Sequence, residues 1–307
     1  MQDEGTGRGV IMKKLVAVLC VSALAATASA VPIILDDFEI DTSANYTIVE
    51  LGGPDASAGF AYDYIATGIP LAPRSQAGDF GGLRMTANDS VGAPNAITAF
   101  HNTAIAGLTD YSLLVDVYIG ITGTSGTTEH AHVGVAGDGA TPNQLFSPIS
   151  GTGHYVAFDG EGGSSSDYRH FKPSVGPVNS GDLSYLNDLN TTNSTGDTYQ
   201  NLFPSPPYEF AGSPGNAWTT LQIDFVGGVG GTITYSLDGA TGMTPIIQDV
   251  SEVLDGFVSL GHADLFGSVA NPFQSQFVIY DNLEVIPEPS ALALLGLGAL
   301  AVLRRRG

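Results

Sequence analysis

A single cysteine, Cys20, occurs in 307 residues, and it lies in an apolar stretch near the N-terminal end. Once that stretch is removed, the chain has no thiol, which excludes disulfides, thiolate metal sites and cysteine nucleophiles. Basic side chains are also scarce: ten Lys and Arg face 31 Asp and Glu. Within residues 31–286 only Arg74, Arg84, Arg169 and Lys172 oppose 28 acids, a net charge of −24. Such a field repels phosphate backbones and anionic lipid, so no nucleic-acid partner is expected and divalent cations are favoured; the same acidity serves solubility. No Gly-x-Ser-x-Gly elbow, phosphate loop or nucleotide fingerprint is present.

What the sequence does have is an address at each end. Met12-Lys13-Lys14, an apolar run over 15–24 and the small residues Ala28-Ser29-Ala30 form a secretory signal peptide over 1–30. Cleavage is expected by the rule that reads Ala28 and Ala30, with export through the Sec machinery. Residues 1–10 fit poorly ahead of such a signal, so Met12 is the expected start. Leu19 precedes Cys20 where a lipoprotein signal needs a small residue, which argues against lipid attachment.

At the other end, Pro287-Glu288-Pro289 is followed by an apolar run over 291–303 and by Arg304-Arg305-Arg306. Thirteen helical residues at about 1.5 Å each span roughly 20 Å, less than the roughly 30 Å of a hydrocarbon core. The segment is therefore a transient stop, with 291–306 touching the membrane and the arginines reaching headgroups on the cytoplasmic side. Pro287 and Pro289 keep the preceding backbone extended and accessible to a processing enzyme. This tail, 287–307, resembles the sorting signal of the PEP-CTERM/exosortase family of bacterial surface proteins. The resemblance implies an exosortase-type processing partner and an exopolysaccharide-rich cell surface or extracellular matrix as destination.

Between the signals, residues 31–286 predict one all-β domain. Forty glycines and the absence of helical periodicity point to strands joined by turns. Leu221, Ile223 and Phe225 alternate with polar residues, as do Ile233, Tyr235 and Leu237 beyond a glycine-rich turn, which predicts a hairpin. Further strands are expected over 33–38, 46–51, 60–65, 96–100, 111–121, 155–158, 256–260 and 276–285, enough for a two-sheet antiparallel sandwich. The order of pieces over 218–285, with the opening Asp36-Asp37-Phe38-Glu39, resembles concanavalin A-like lectin/glucanase jelly rolls. Residues 160–217 read as a long insertion rich in Gly, Ser, Asn and Pro.

Several residues are candidates for chemistry. Strict alternation would place Asp281 on one face with Phe277, Ile279, Leu283 and Val285, where a carboxylate needs a partner. If the first and last strands pair, Asp36, Asp37, Glu39 and Asp281 converge into an oxygen-rich site for structural Ca²⁺. His130 and His132 share a strand face and could share a metal, although no third ligand is evident. The Glu-x-Asp-x-x-Glu pattern of jelly-roll glucanases is absent; Asp159 and Glu161 are the remaining pair, set among glycines. Tyr185, Tyr199, Tyr208 and Trp218 offer flat faces for sugar rings or anchors pinning the insertion to the sandwich. The leading expectation is a non-enzymatic surface protein; the alternatives are a carbohydrate-binding module using the 160–218 aromatics and a glycoside-active enzyme.

Overall fold

The computed structural model describes residues 31–90, 93–108, 110–121, 129–145, 149–160, 168–173, 176–177, 203–206, 208, 211–227, 231–238, 246–250, 255–265 and 274–288. The expected signal helix, the apolar run of the tail and most of the 160–217 insertion lie outside them. Among the described residues there is no α-helix and no helix long and apolar enough to cross a membrane.

Among the described residues, fifteen strands form two antiparallel sheets. Sheet A runs β13 (Ile246–Val250), β12 (Gly231–Asp238), β11 (Trp218–Val226), β6 (Asp110–Gly120), β15 (Phe277–Pro287), β4 (Leu83–Ala87) and β3 (Ala56–Gly59), with β1 (Ile34–Asp36) also pairing with β15. Sheet B runs β10 (Gly176–Pro177), β9 (Tyr168–Lys172), β8 (His154–Asp159), β7 (Glu129–Gly137), β14 (Gly256–Asp264), β5 (Asn95–Ile105) and β2 (Tyr46–Glu50).

The expected hairpin is β11 and β12, with Leu221 opposite Leu237, Ile223 opposite Tyr235 and Phe225 opposite Ile233, all buried. Period-two patterning fixes this register, because a slip of one residue would turn every apolar side chain outward. Facing them across the sandwich are Ala131, Val133 and Val135 of β7, Val156 and Phe158 of β8, and Val258 and Leu260 of β14. Tyr280 ties the layers together. Its hydroxyl reaches from sheet A to the carbonyls of His132 and Gly261, at 3.0 and 2.6 Å, and accepts the His132 N–H at 3.1 Å.

Two departures from the expected strands matter for the site. Residues 60–65 are not a strand: they enter a bend and a single 3-10 turn, Ile65–Thr67, and the chain over 60–82 lies as a strap on the outer face of sheet A. There Tyr64, Ile69 and Ala72 pack with Tyr118, Trp218 and Ile279 as a second small core. Within the insertion, residues 168–172 and 176–177 are the strands β9 and β10 at the edge of sheet B.

Candidate functional site

The final strand carries the functional signal, and its geometry departs from simple alternation. A β-bulge interrupts the pairing with β6 between Asp281 and Glu284, where Asn282 takes a left-handed φ of 52°. One inserted residue reverses which face later side chains meet. Phe277 and Ile279 therefore pack on the strap side, while Leu283 and Val285 join the main core. The expectation that Asp281 shares a face with all four is corrected accordingly.

Asp281 is fully buried beneath the strap. Its Oδ2 accepts the Tyr64 hydroxyl at 2.9 Å and the Ser75 hydroxyl at 2.8 Å, and its Oδ1 accepts the Asn282 N–H at 2.7 Å. Burial pushes its carboxyl up to about 6; those hydrogen bonds oppose the rise and the neighbouring Asp116 adds to it. Opposite it in register, Asp116 accepts Arg74 Nε at 3.1 Å, Thr220 Oγ1 at 2.6 Å and Asn282 Nδ2 at 3.0 Å. Arg74 also donates to the Asn282 carbonyl and lies 3.6 Å from Glu284. A guanidinium is thus the cation paired with Asp116 at this site.

The four expected calcium ligands do not converge. The first and last strands do pair, Ile34 opposite Val285, but Asp36 stands opposite Leu283 rather than Asp281. Asp36 instead accepts the Phe38 N–H at 2.9 Å and the Tyr46 hydroxyl at 2.9 Å, which holds Phe38 at a positive φ. Asp37 accepts the Glu39 N–H at 3.2 Å, and Glu39 accepts the Gly81 N–H at 2.8 Å. Among the described residues no group of three His, Cys, Asp or Glu side chains is placed to hold a metal ion.

His130 and His132 do share the outer face of β7. Asp159 of β8 lies 3.9 Å from the Nε2 of His130. His132 is buried, and its ring sits over Gly261, where a Cβ would come 2.0 Å from Cε1. Burial holds His132 and His262 neutral, each pushed down to about 3, with the neighbouring His130 and, for His132, His262 lowering them further. Glu161, the other member of the expected carboxylate pair, lies outside the described residues.

Of the four aromatic candidates, Tyr185 and Tyr199 lie outside the described residues. Tyr208 and Trp218 are each 8% exposed. Tyr208 meets Phe203 edge-on, whereas Trp218 packs on Tyr64 and Tyr118 and donates its indole N–H to the Pro70 carbonyl at 2.6 Å. Both are anchors in packed clusters in this structure, and Trp218 belongs to sheet A rather than to the insertion.

The end of β15 leads straight into the tail. Pro287 stands opposite Tyr111 of β6, and the Glu288 N–H donates to the Asp110 carbonyl at 3.0 Å. The Ser112 hydroxyl lies 3.0 Å from Glu288 Oε1 and 2.6 Å from Asp224 Oδ1. On the other flank the Ile33 N–H donates to the Val285 carbonyl at 2.8 Å, so the start of the sandwich and its exit into the tail share one end of sheet A. Pro289 and Arg304, Arg305 and Arg306 lie outside the described residues, as do Ala28 and Ala30.

Residues 285–306 match the PEP-CTERM protein-sorting motif. The chain thus carries the sorting signal of exported surface proteins on an antiparallel β-sandwich. No curated protein matches it. Among solved structures it is similar to "Cellulose induced protein, Cip1" at 10% identity, TM-score 0.45, over 83% of this chain and 97% of that one. The endo-beta-1,4-glucuronan lyase of the fungus Trichoderma reesei matches at 10% identity, TM-score 0.45, over 84% and 96%. The Ca²⁺/Man3GlcNAc-bound VIP36 exoplasmic/lumenal domain matches at 11% identity, TM-score 0.43, over 83% and 90%. These neighbours are lectin/glucanase-like jelly rolls.

Proposed function

We propose that this is a non-enzymatic cell-surface or extracellular-matrix protein, exported by Sec, held briefly at the membrane by 291–306 and processed by an exosortase. The observation that carries the reading is the sorting motif over 285–306, which begins within the last core strand. A folded domain that passes directly into its sorting signal is itself the cargo. Association with exopolysaccharide follows from the destination that the tail implies.

Expression of the full chain in a host with its exosortase and in an exosortase deletion tests the sorting. The expected result is a shortened surface form only in the former; identical chain length and location in both would overturn it. Retention of the exported protein on a polysaccharide column tests the association, and elution with the void volume would refute it. A chelator titration checks for calcium, with a lowered melting temperature as the outcome that would restore a structural ion.

A further inference from the structure

We propose that the folded sandwich withholds its own sorting motif, so that processing waits for the last two residues of the strand end to open. This inference rests on the exosortase reading above. Processing enzymes take extended peptide, and backbone pairing supplies much of the affinity in such recognition. In this chain the first residues of the motif, 285–288, are already paired with β6. Pro287 lies in the β15–β6 ladder opposite Tyr111, the Glu288 N–H is given to the Asp110 carbonyl, and the Glu288 carboxylate is within reach of the Ser112 hydroxyl. Pro287 is the last residue of β15 and the Glu288 N–H is bonded just beyond it, so no spacer separates the domain from the motif.

The hold is weak by construction. Ser112 has one proton, and Asp224 lies nearer to it than Glu288 does, at 2.6 against 3.0 Å. Proline contributes no N–H to the ladder. The strand end therefore opens far more readily than the domain unfolds, and the motif becomes available without loss of the fold. Processing is slowed but not blocked, and the chain is presented to the enzyme folded.

The test uses the full chain in cells with the exosortase, following the shortened form over time after a pulse of synthesis. A four-residue Gly/Ser insertion after Ile286 lifts the motif off β6 and is expected to speed processing roughly five- to thirtyfold, the factor for one to two net hydrogen bonds. Ser112→Ala is expected to speed it by a smaller factor. Ser112→Cys with Ile286→Cys joins two residues that face each other in register and locks the strand end. Its processing is expected to stall when oxidised and to recover with reductant, a reversal that misfolding would not give. Equal rates for wild type, insertion and locked chain, with processing still dependent on exosortase, would overturn the withholding and leave the sorting reading standing. Failure of every chain to be processed would overturn both.

Discussion

Replacing Asp281 by Asn probes the most costly group beneath the strap. The carboxyl is buried between β15 and residues 60–82, and burial raises it from 3.8 to about 6. Between those values the folded chain binds a proton that the unfolded chain does not, so stability falls as pH rises through that window. A rise of about two units corresponds to about 3 kcal/mol, of which roughly 2 kcal/mol is expressed between pH 4 and pH 8. Asparagine keeps an acceptor for Tyr64 or Ser75 and carries no charge. Relative to wild type, the variant should therefore gain roughly 2 kcal/mol on going from pH 4 to pH 8. Urea unfolding of the full chain in mild detergent at each pH gives the comparison, and contributions from other titrating groups cancel in the difference. A difference that stays flat across this range, or that favours Asp281 more strongly at pH 8, would refute the assignment of burial as the dominant cause.

Four further outcomes follow from the packing. Trp218→Ala removes a ring packed on Tyr64 and Tyr118 and the bond to Pro70, and should cost about 3–5 kcal/mol in unfolding experiments; an unchanged melting temperature with lost glycan retention would instead make it a sugar platform. Gly261→Ala puts a Cβ against the His132 ring and 2.5 Å from the Ile97 carbonyl, and should lose about 1–3 kcal/mol by the same measurement. Tyr280→Phe strips the hydroxyl from three buried backbone groups and should lose a similar roughly 1–3 kcal/mol with little change in the circular dichroism of the fold. His132 and His262, neutral in the fold down to about 3, take up protons on unfolding below 6.5, so they should make the urea midpoint fall as pH drops from 7 to 4.5; replacing both by Gln should flatten that decline.

The parts legible in the sequence are those governed by local rules. Alternation at Leu221, Ile223 and Phe225 specifies a face, a hairpin and a register at once. The tail is legible because proline, apolar length and terminal arginines act independently of the fold. Alternation failed at Asp281, since a bulge at Asn282 leaves no period-two trace and inverts the faces of Leu283 and Val285. β4 escapes a reading of the sequence because Leu83–Ala87 is only five residues long, and the alternation of Leu83, Met85 and Ala87 with Arg84 and Thr86 is too short to stand out. The Arg74–Asp116 pairing joins residues 42 apart through a strap, which only the fold brings together. One signal was available: Arg74 is among four cations in residues 31–286, and a rare cation in an acidic chain invites a search for its carboxylate.

The continuity of β15 with the tail also determines how the molecule takes tension. Under the proposed membrane hold of the tail, drag on the sandwich would pull along the axis of a strand bonded to β6 on one flank and to β1 and β4 on the other. A pull in that direction loads the cross-strand bonds together, in shear, rather than peeling them one after another. Pulled along that axis the sheet resists as a unit, whereas thermal opening of the short Pro287-Glu288 end breaks only the few bonds that hold it to β6.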